Sequence, residues 1–221
     1  MMTVGGCIIP IRGIRSGKQR IRANLPRSKE SQISSLIVLI LNRILRLCSD
    51  YFDPVWIMTK DPTDVQMNIK NHADRIFLDS DASLNNSLAI AAKEMASITD
   101  SFAVITPDLP LLQPGDVIQL LDSFNGKDCA IAPSKDVGTS GLIIPLDNSS
   151  LLHDFKFQFG VDSFTKHLEA FSRARSGYQI VQSHGFLWDL DDLEDLQVIV
   201  RTQRQFLPES VEKEMRTLVL S

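Results

Sequence analysis

Residues 102–110, FAVITPDLP, join an apolar run to an acidic turn, and residues 186–192, FLWDLDD, repeat this arrangement later in the chain. Each apolar run is typical of a buried strand. Open α/β sheets bind ligands outside the carboxyl ends of their strands, so we expect Asp108 to lie at such an edge. Alternate residues of a strand point the same way, so Asp189 and Asp191 are expected to face one point. The two motifs therefore predict a carboxylate cluster at one edge of a sheet.

Three converging carboxylates would suit a hard divalent cation such as Mg²⁺, which prefers oxygen ligands. A simpler alternative is that Asp108 only caps a turn and that the second motif only begins a helix at Asp192. The occurrence of both motifs together with a basic loop favours the metal site.

That basic loop follows the first apolar run, residues 7–11. Its cations, with no acidic residue before Glu30, are Arg12, Arg15, Lys18, Arg20, Arg22, Arg27 and Lys29. The whole chain has a net charge of −4, so the positive charge is local. Gly13 and Gly17 allow the backbone to approach a ligand closely. Loops of this kind, between a strand and a helix, bind phosphates in α/β proteins.

The loop does not match a P-loop, because its glycine spacing is one residue short and Gln19 stands where a Ser or Thr binds magnesium. A solvated basic loop or a nucleic-acid patch remains an alternative. However, no aromatic residue interleaves these cations and the rest of the chain is acidic, so no nucleic-acid partner is expected.

The chain has 221 residues, of which 43% are hydrophobic, enough for a full core. Strand-like and helix-like runs alternate, which is typical of a mostly parallel sheet with helices on both faces. We predict a single α/β domain over residues 1–221. Strands are expected at residues 7–11, 55–58, 75–78, 102–105, 129–132, 142–144, 179–181 and 186–188. Helices are expected at residues 28–48, 64–71, 84–96, 113–124 and 162–173.

Three widely spaced cysteines, Cys7, Cys48 and Cys129, indicate reduced thiols and a cytoplasmic location rather than a disulfide scaffold or a zinc site. The N-terminus has no pattern of a secretory signal. The most apolar stretch, residues 36–41, is much shorter than the roughly 18 to 20 residues of a membrane span, so no membrane partner is expected.

Several short motifs occur in the order found in the CofC/FbiD family, whose members have a MobA-like nucleotidyltransferase fold. They are Ile9-Pro10-Ile11-Arg12 with Lys18-Gln19-Arg20-Ile21, Ser83-Leu84-Asn85, Pro107-Asp108-Leu109-Pro110-Leu111, Ala132-Pro133 with Gly138-Thr139, Phe157-Gln158-Phe159-Gly160 with Ser163-Phe164, and Asp189-Leu190-Asp191 with Glu194-Asp195-Leu196. DLP-type loops occur across nucleotidyltransferases. The Phe-Gly-x-x-Ser-Phe element together with Asp-x-Asp makes the chain resemble this family over about residues 4 to 200.

The resemblance implies a role for each of three sets of residues. The divalent ions would be held by Asp108, Asp189 and Asp191. The phosphate and carboxylate of a small phospho-acid would be held by Thr139, Gly160 and Ser163. GTP would be held by Arg12, Leu84 and Asn85, together with Lys18 and Arg20, which would also neutralise the leaving pyrophosphate.

The implied reaction joins GTP to 2-phospho-L-lactate, or to phosphoenolpyruvate, and releases pyrophosphate during biosynthesis of coenzyme F420. A homodimer is also expected. Two alternatives stay open: a nucleotidyltransferase for a sugar phosphate or molybdopterin, and a non-enzymatic nucleotide-binding protein.

Other features have simpler interpretations. Asp162 or Ser163 could only cap a helix, and residues 138–141 could only form a turn. The alternating Phe155, Phe157 and Phe159 are typical of a core stripe or a subunit contact. The four histidines, His72, His153, His167 and His184, share no catalytic or ligand spacing, so none is assigned chemistry.

Overall fold

The computed structural model describes residues 5–15, 17–69, 72–79, 83–146 and 154–219. Within them one sheet has the order β3-β2-β1-β4-β6-β5-β7. Its strands are β1 (Gly6–Ile11), β2 (Val55–Thr59), β3 (Arg75–Leu78), β4 (Ser101–Ile105), β5 (Cys129–Pro133), β6 (Thr139–Pro145) and β7 (Tyr178–Ile180). Neighbouring strands are parallel except that β6 runs antiparallel to both β4 and β5. The predicted mostly parallel sheet is confirmed.

Helices cover both faces of this sheet. In the described residues they are α1 (Gln19–Ala23), α2 (Glu30–Ser49), α3 (Pro62–Asn68), α4 (Leu84–Met95), α5 (Pro114–Asp122), α6 (Ser163–Arg173), α7 (His184–Leu187), α8 (Leu193–Thr202) and α9 (Glu209–Val219). Residues 70 and 71 of the predicted helix at 64–71, and His153, lie outside the described residues. Helix α9 was not predicted.

The strands divide their side chains between two hydrophobic cores. Cys7 and Ile9 of β1 pack in one core with α2, whereas Ile8 packs in the other with Phe102 and Leu88 of α4. This follows from the period of two along a strand, since successive side chains emerge on opposite faces. The sheet is therefore buried on both sides, which explains its continuous apolar runs.

One predicted strand is wrong. Residues 186–188 were expected to extend, but His184–Leu187 form the short helix α7. Phe186 is fully buried by packing in the core between α5 and the sheet. A run of three apolar residues carries no periodicity that separates helix from strand, so packing decided its conformation.

The phenylalanine stripe belongs to the core rather than to a surface. Phe155 and Phe157 are 6% and 5% exposed and pack edge to face at a centroid distance of 5.2 Å. Phe159 is partly buried against the same cluster. The stripe is therefore part of the core, and the homodimer stays a prediction.

The helical stretch Arg27–Ser49 is long and apolar enough to cross a membrane by length and composition alone. Helix α2, which makes up most of it, buries Ile33, Leu36, Ile40 and Leu41 among its core residues. A core helix passes the same test of length and composition, so this stretch is weak evidence for a span.

The sheet topology brings several loops to one edge. Strand order reverses between β1 and β4, which lie side by side, so the loops that leave their carboxyl ends meet there. Because β6 runs antiparallel to β4, its first residue, Thr139, lies at the same edge. The Thr106 amide donates to the Ser140 carbonyl at 3.0 Å and joins the two loops.

Candidate active site

A lysine from the basic loop links the two acidic motifs. The Lys18 Nζ lies 2.6 Å from Asp108 Oδ2 and 2.9 Å from Asp191 Oδ1. The side chains of Lys18 and Asp108 are only 17% and 18% exposed, so the pair is shielded from solvent. The structure therefore brings the predicted phosphate loop and two of the predicted metal ligands to one point.

A second lysine, which the sequence interpretation missed, neutralises the third carboxylate. Lys135 Nζ lies 3.2 Å from Asp189 Oδ1 and 2.9 Å from Asp195 Oδ1. It also pairs with the exposed Asp136 at 3.0 Å. The available signal was its position in the loop that follows β5, between the quoted Ala132-Pro133 and Gly138-Thr139 motifs.

The two acidic motifs are also joined through the backbone. The Leu190 amide donates to the Asp108 carbonyl at 3.0 Å. Asp192 caps α8 by accepting from the Asp195 amide, and Asp195 accepts in return from the amides of Asp191 and Asp192. The alternative that the second motif only begins a helix therefore holds for Asp192 and Asp195. Asp189 and Asp191 instead face the lysines.

The carboxylates at this edge have unequal proton affinities. Burial, with a further contribution from the nearby charge of Asp108, raises the pKa of Asp189 to about 6. Burial acts in the same direction on Asp191, but the charge and hydrogen bond of Lys18, together with the charges of Lys135 and Arg20, outweigh it and lower the pKa of that carboxyl. Lys18 is itself buried, yet Asp108 and Asp191 raise its pKa, so the ammonium stays charged. The cluster carries more carboxylates than its two lysines neutralise.

The donor set of this cluster fits a hard divalent cation. All candidate ligands are carboxylate oxygens, as Mg²⁺ prefers. Among the residues described, Asp108 Oδ1 is a buried oxygen without a hydrogen-bond partner, which leaves an acceptor unsatisfied. In the same described residues no three His, Cys, Asp or Glu side chains converge closely enough to hold a metal ion. The lysines lie against these carboxylates, so the metal site stays a prediction.

The basic loop is fixed by internal contacts. Asp64 of α3 accepts from the amides of Ile14 and Arg15 at 2.6 and 3.0 Å. The buried Arg22 guanidinium donates to the carbonyls of Ile14 and Gly17 at 2.9 and 2.8 Å. Two backbone amides of the predicted phosphate-binding loop are therefore already engaged within the protein. The loop instead presents the Lys18 side chain.

The remaining predicted nucleotide residues lie in this loop and at the start of α4. Arg12 and Arg20 are exposed, and the charge of Arg20 contributes to the lowered pKa of Asp191. Leu84 begins α4 and is partly buried against the core of that face.

Asn85, predicted to contact GTP, binds the backbone of another loop. Its side-chain amide donates to the Phe159 carbonyl at 3.1 Å, and its carbonyl oxygen accepts from the Phe159 amide at 2.8 Å. This paired contact fixes the segment that precedes Gly160 against α4. Asn85 therefore connects the predicted nucleotide and phospho-acid regions.

Two of the residues predicted to hold the phospho-acid, Thr139 and Ser163, lie where the start of β6 approaches the start of α6. Thr139 and Ser163 are 5% and 2% exposed. The Phe164 amide donates to the Val137 carbonyl at 3.0 Å, which joins the start of α6 to the loop before β6. Within the described residues the Asp162 side chain caps no helix amide, so the simple N-cap interpretation of Asp162 fails.

Gly160 has a backbone reason to be glycine. Its φ of 132° lies in a region that L-residues rarely adopt, and a Cβ there would meet none of the described atoms within 4 Å. A side chain at this position would strain the loop whether or not it blocked a ligand.

Left-handed backbone conformations concentrate in the loops of the candidate site. Lys18, Val137 and Asp162 have φ values of 54°, 58° and 54°, and each lies in one of these loops. Such conformations cost free energy in non-glycine residues, most of all in a β-branched one such as Val137. Their clustering is typical of a functional site, where surrounding contacts maintain the strain.

The chain matches the CofC family, described as guanylyl transferase CofC-like, over residues 6–206. A phosphoenolpyruvate guanylyltransferase from Roseiflexus sp. (strain RS-1) is 31% identical over 194 residues, which are 86% of this chain and 82% of the relative. A 2-phospho-L-lactate guanylyltransferase from Methanobrevibacter smithii is 26% identical over 195 residues, covering 87% and 82% of the two chains.

Among solved structures, a candidate nucleotide-diphospho-sugar transferase from Desulfovibrio desulfuricans G20 superposes with a TM-score of 0.79. The match covers 98% of this chain and 95% of the other at 16% identity. This similarity supports the fold of the chain.

Proposed function

The chain belongs to the CofC family of guanylyl transferases, and we propose that it transfers a guanylyl group from GTP to a small phospho-acid, 2-phospho-L-lactate or phosphoenolpyruvate. The product is a guanosine diphospho-acid and the leaving group is pyrophosphate, in the biosynthesis of coenzyme F420. The observation that carries this proposal is the contact of Lys18 with both Asp108 and Asp191. This contact brings a cation of the predicted phosphate-binding loop and two candidate metal ligands to one edge of the sheet.

In this reaction a phosphate oxygen of the acceptor forms a bond to the α-phosphorus of GTP, and the bond from that phosphorus to the β-phosphate bridging oxygen breaks. The acceptor phosphate is already anionic, so no general base has to remove a proton. The main requirement is to bring two polyanions together, which calls for fixed positive charge.

Positive charge is available from both lysines. Lys18 is a largely buried, charged residue of the basic loop that would hold the triphosphate. It would therefore offset the charge that develops on pyrophosphate. Arg20 is exposed beside it and would act in the same direction. Lys135 balances Asp189 and Asp195 at the other side of the cluster.

A divalent ion would be held by Asp108, Asp189 and Asp191. When bound, Mg²⁺ would supply Lewis-acid polarisation of phosphate oxygens. The buried Asp108 Oδ1, which has no hydrogen-bond partner among the described residues, supports this role because it is an unsatisfied acceptor.

The acceptor would bind near Thr139, Gly160 and Ser163. Thr139 lies at the start of β6, beside the loop that carries Asp108, so a ligand there would adjoin the metal carboxylates. Arg12, Leu84 and Asn85 would border the nucleotide, with Asn85 acting through the loop that it holds.

We also propose a reducing, cytoplasmic location. Cys7 and Cys48 are buried free thiols within hydrogen-bonding contact of each other. A thiol pair so close together would be prone to oxidation in a secretory compartment.

The test is pyrophosphate release from GTP and Mg²⁺ with 2-phospho-L-lactate, phosphoenolpyruvate or a sugar phosphate, and with ATP or CTP replacing GTP. We expect release with GTP and at least one phospho-acid, and a product mass equal to their guanylylated adduct. Turnover with the sugar phosphate but with neither phospho-acid would indicate a nucleotidyltransferase of another substrate class. Nucleotide binding without any turnover would favour the non-enzymatic alternative.

A further inference from the structure

His167 of α6 is a fully buried histidine that the proposed chemistry does not use. Its ring packs edge to face against Phe159 at a centroid distance of 4.9 Å and stacks on Phe155 at 6.1 Å. A buried imidazole in such apolar surroundings requires partners for its nitrogens. Both nitrogens have them.

The first partner fixes which nitrogen carries the proton. The Gln158 backbone amide donates to His167 Nε2 at 3.0 Å. A backbone amide can only donate, so Nε2 must be unprotonated. Burial lowers the pKa of His167 to about 4, against a smaller opposing effect of a hydrogen bond with the Ser163 backbone, so the ring is neutral near pH 7. A neutral imidazole has one ring proton, which must therefore lie on Nδ1.

The second partner is a residue predicted to bind substrate. Nδ1 lies 2.9 Å from the Thr139 hydroxyl oxygen. With its proton on Nδ1, the ring cannot accept from that hydroxyl. The Nδ1 proton is shared between the Thr139 oxygen and the Ser163 backbone carbonyl, so the hydroxyl hydrogen has to point elsewhere. The hydroxyl then remains a donor for a second acceptor.

The surroundings of Thr139 indicate where that acceptor would lie. A Cβ built on the preceding Gly138 would lie 3.9 Å from Ser163 Oγ, so β6 and the start of α6 are in contact here. Gln158 and Phe159, held by His167 and Asn85, lead directly into Gly160. The ring thus joins Thr139 to the segment that leads to Gly160.

We propose that His167 is a positioning residue that fixes the Thr139 hydroxyl as a hydrogen-bond donor toward the anionic acceptor, while anchoring the loop that ends at Gly160. The identity of the acceptor rests on the proposed function. A side chain with a single polar atom could meet only one of these requirements, because the two partners lie at opposite ring nitrogens.

The protonation state can be measured without any substrate. Heteronuclear NMR of the imidazole nitrogens near pH 7 should assign the His167 proton to Nδ1. A proton on Nε2, or a doubly protonated ring, would overturn the proposal directly.

The functional test is a double-mutant cycle between His167→Phe, which retains an aromatic ring, and Thr139→Val, which retains the shape of threonine. We expect each single variant to raise the KM for the phospho-acid roughly 10- to 100-fold, as for a lost hydrogen bond to a charged group, with the KM for GTP within about threefold. The double variant should lose less than the two single losses combined, because part of the His167 effect acts through that hydroxyl and part through the loop that it anchors.

His167→Gln is a second variant in case the phenylalanine impairs folding, and His184→Gln is the matched control at an exposed histidine. Additive losses in the cycle, or equal losses for GTP and phospho-acid, would overturn the proposal. A proton on Nδ1 in a wild-type chain that uses no phospho-acid would instead overturn the proposed function and, with it, the role of Thr139.

Discussion

The ammonium group of Lys18 lies 2.6 Å from a carboxylate oxygen of Asp108, although 90 residues separate them in the chain. The lysine backbone adopts a left-handed conformation, with φ of 54°, immediately before α1. This contact joins the loop after β1 to the loop after β4.

Asp108→Asn and Asp191→Asn should each lower turnover by on the order of 10² or more, as loss of a group that stabilises transition-state charge does. Chelation of divalent ions should abolish turnover of the wild-type chain. Pyrophosphate release and thermal melting are the measurements. Asp136→Asn, at an exposed carboxylate that also pairs with Lys135, is the control and should stay close to wild type. Full activity of Asp108→Asn or Asp191→Asn with native-like melting would contradict the assignment of these carboxylates as metal ligands.

Lys18→Ala should weaken GTP binding by about 1.5–3 kcal/mol, the range for hydrogen bonds to charged groups. Arg20→Ala should have a smaller effect because Arg20 is exposed and its charge is screened. Titration calorimetry with GTP measures both, and Arg27→Ala in the same basic loop is the control. Binding of phospho-acid without nucleotide should hardly change. If the Lys18→Ala, Arg20→Ala double variant binds GTP as tightly as the wild type, the loop is only a solvated basic surface.

Asn85→Ala should impair use of the phospho-acid more than binding of GTP. The substitution removes both hydrogen bonds that hold Phe159 next to Gly160. We expect the KM for the phospho-acid to rise about tenfold, equivalent to about 1.4 kcal/mol, with a smaller change for GTP. Asn86→Ala at the next, exposed position is the control. A selective rise in the KM for GTP would favour the direct nucleotide contact predicted from sequence.

Stability should depend on pH through His167. Burial lowers its pKa in the folded protein to about 4 from the ordinary 6.5. As the pH falls below 6.5, the unfolded state takes up a proton that the folded state excludes, so the free energy of unfolding decreases until the folded pKa is reached. The decrease should be about 3 kcal/mol between pH 7 and pH 4.

Urea unfolding at a series of pH values measures this effect. His167→Gln should lower stability at pH 7 and remove that component of the slope. His184→Gln should retain the wild-type slope. An unchanged slope in His167→Gln would contradict a buried neutral imidazole in the folded protein.

The amino-acid sequence determined the sheet and the position of its acidic edge. Alternating strand and helix patterns indicate that helices cover the strands on both faces. A residue that directly follows a buried strand then lies at the carboxyl end of that strand. Asp108 was therefore placed by local pattern alone. The pattern failed at residues 186–188, because a three-residue apolar run is compatible with either conformation and α7 formed by packing of Phe186.

Only the tertiary structure decided which side chains meet. Lys18 reaches Asp191 across 173 residues, Lys135 pairs with Asp189, and Asn85 turns to the Phe159 backbone. No role could be predicted for His167 from the sequence, because its partners, Gln158 and Thr139, share no helical or strand spacing with it. Periodicity encodes the face on which a residue lies. Hydrogen-bond partners depend on how distant segments pack, and burial makes those partners obligatory.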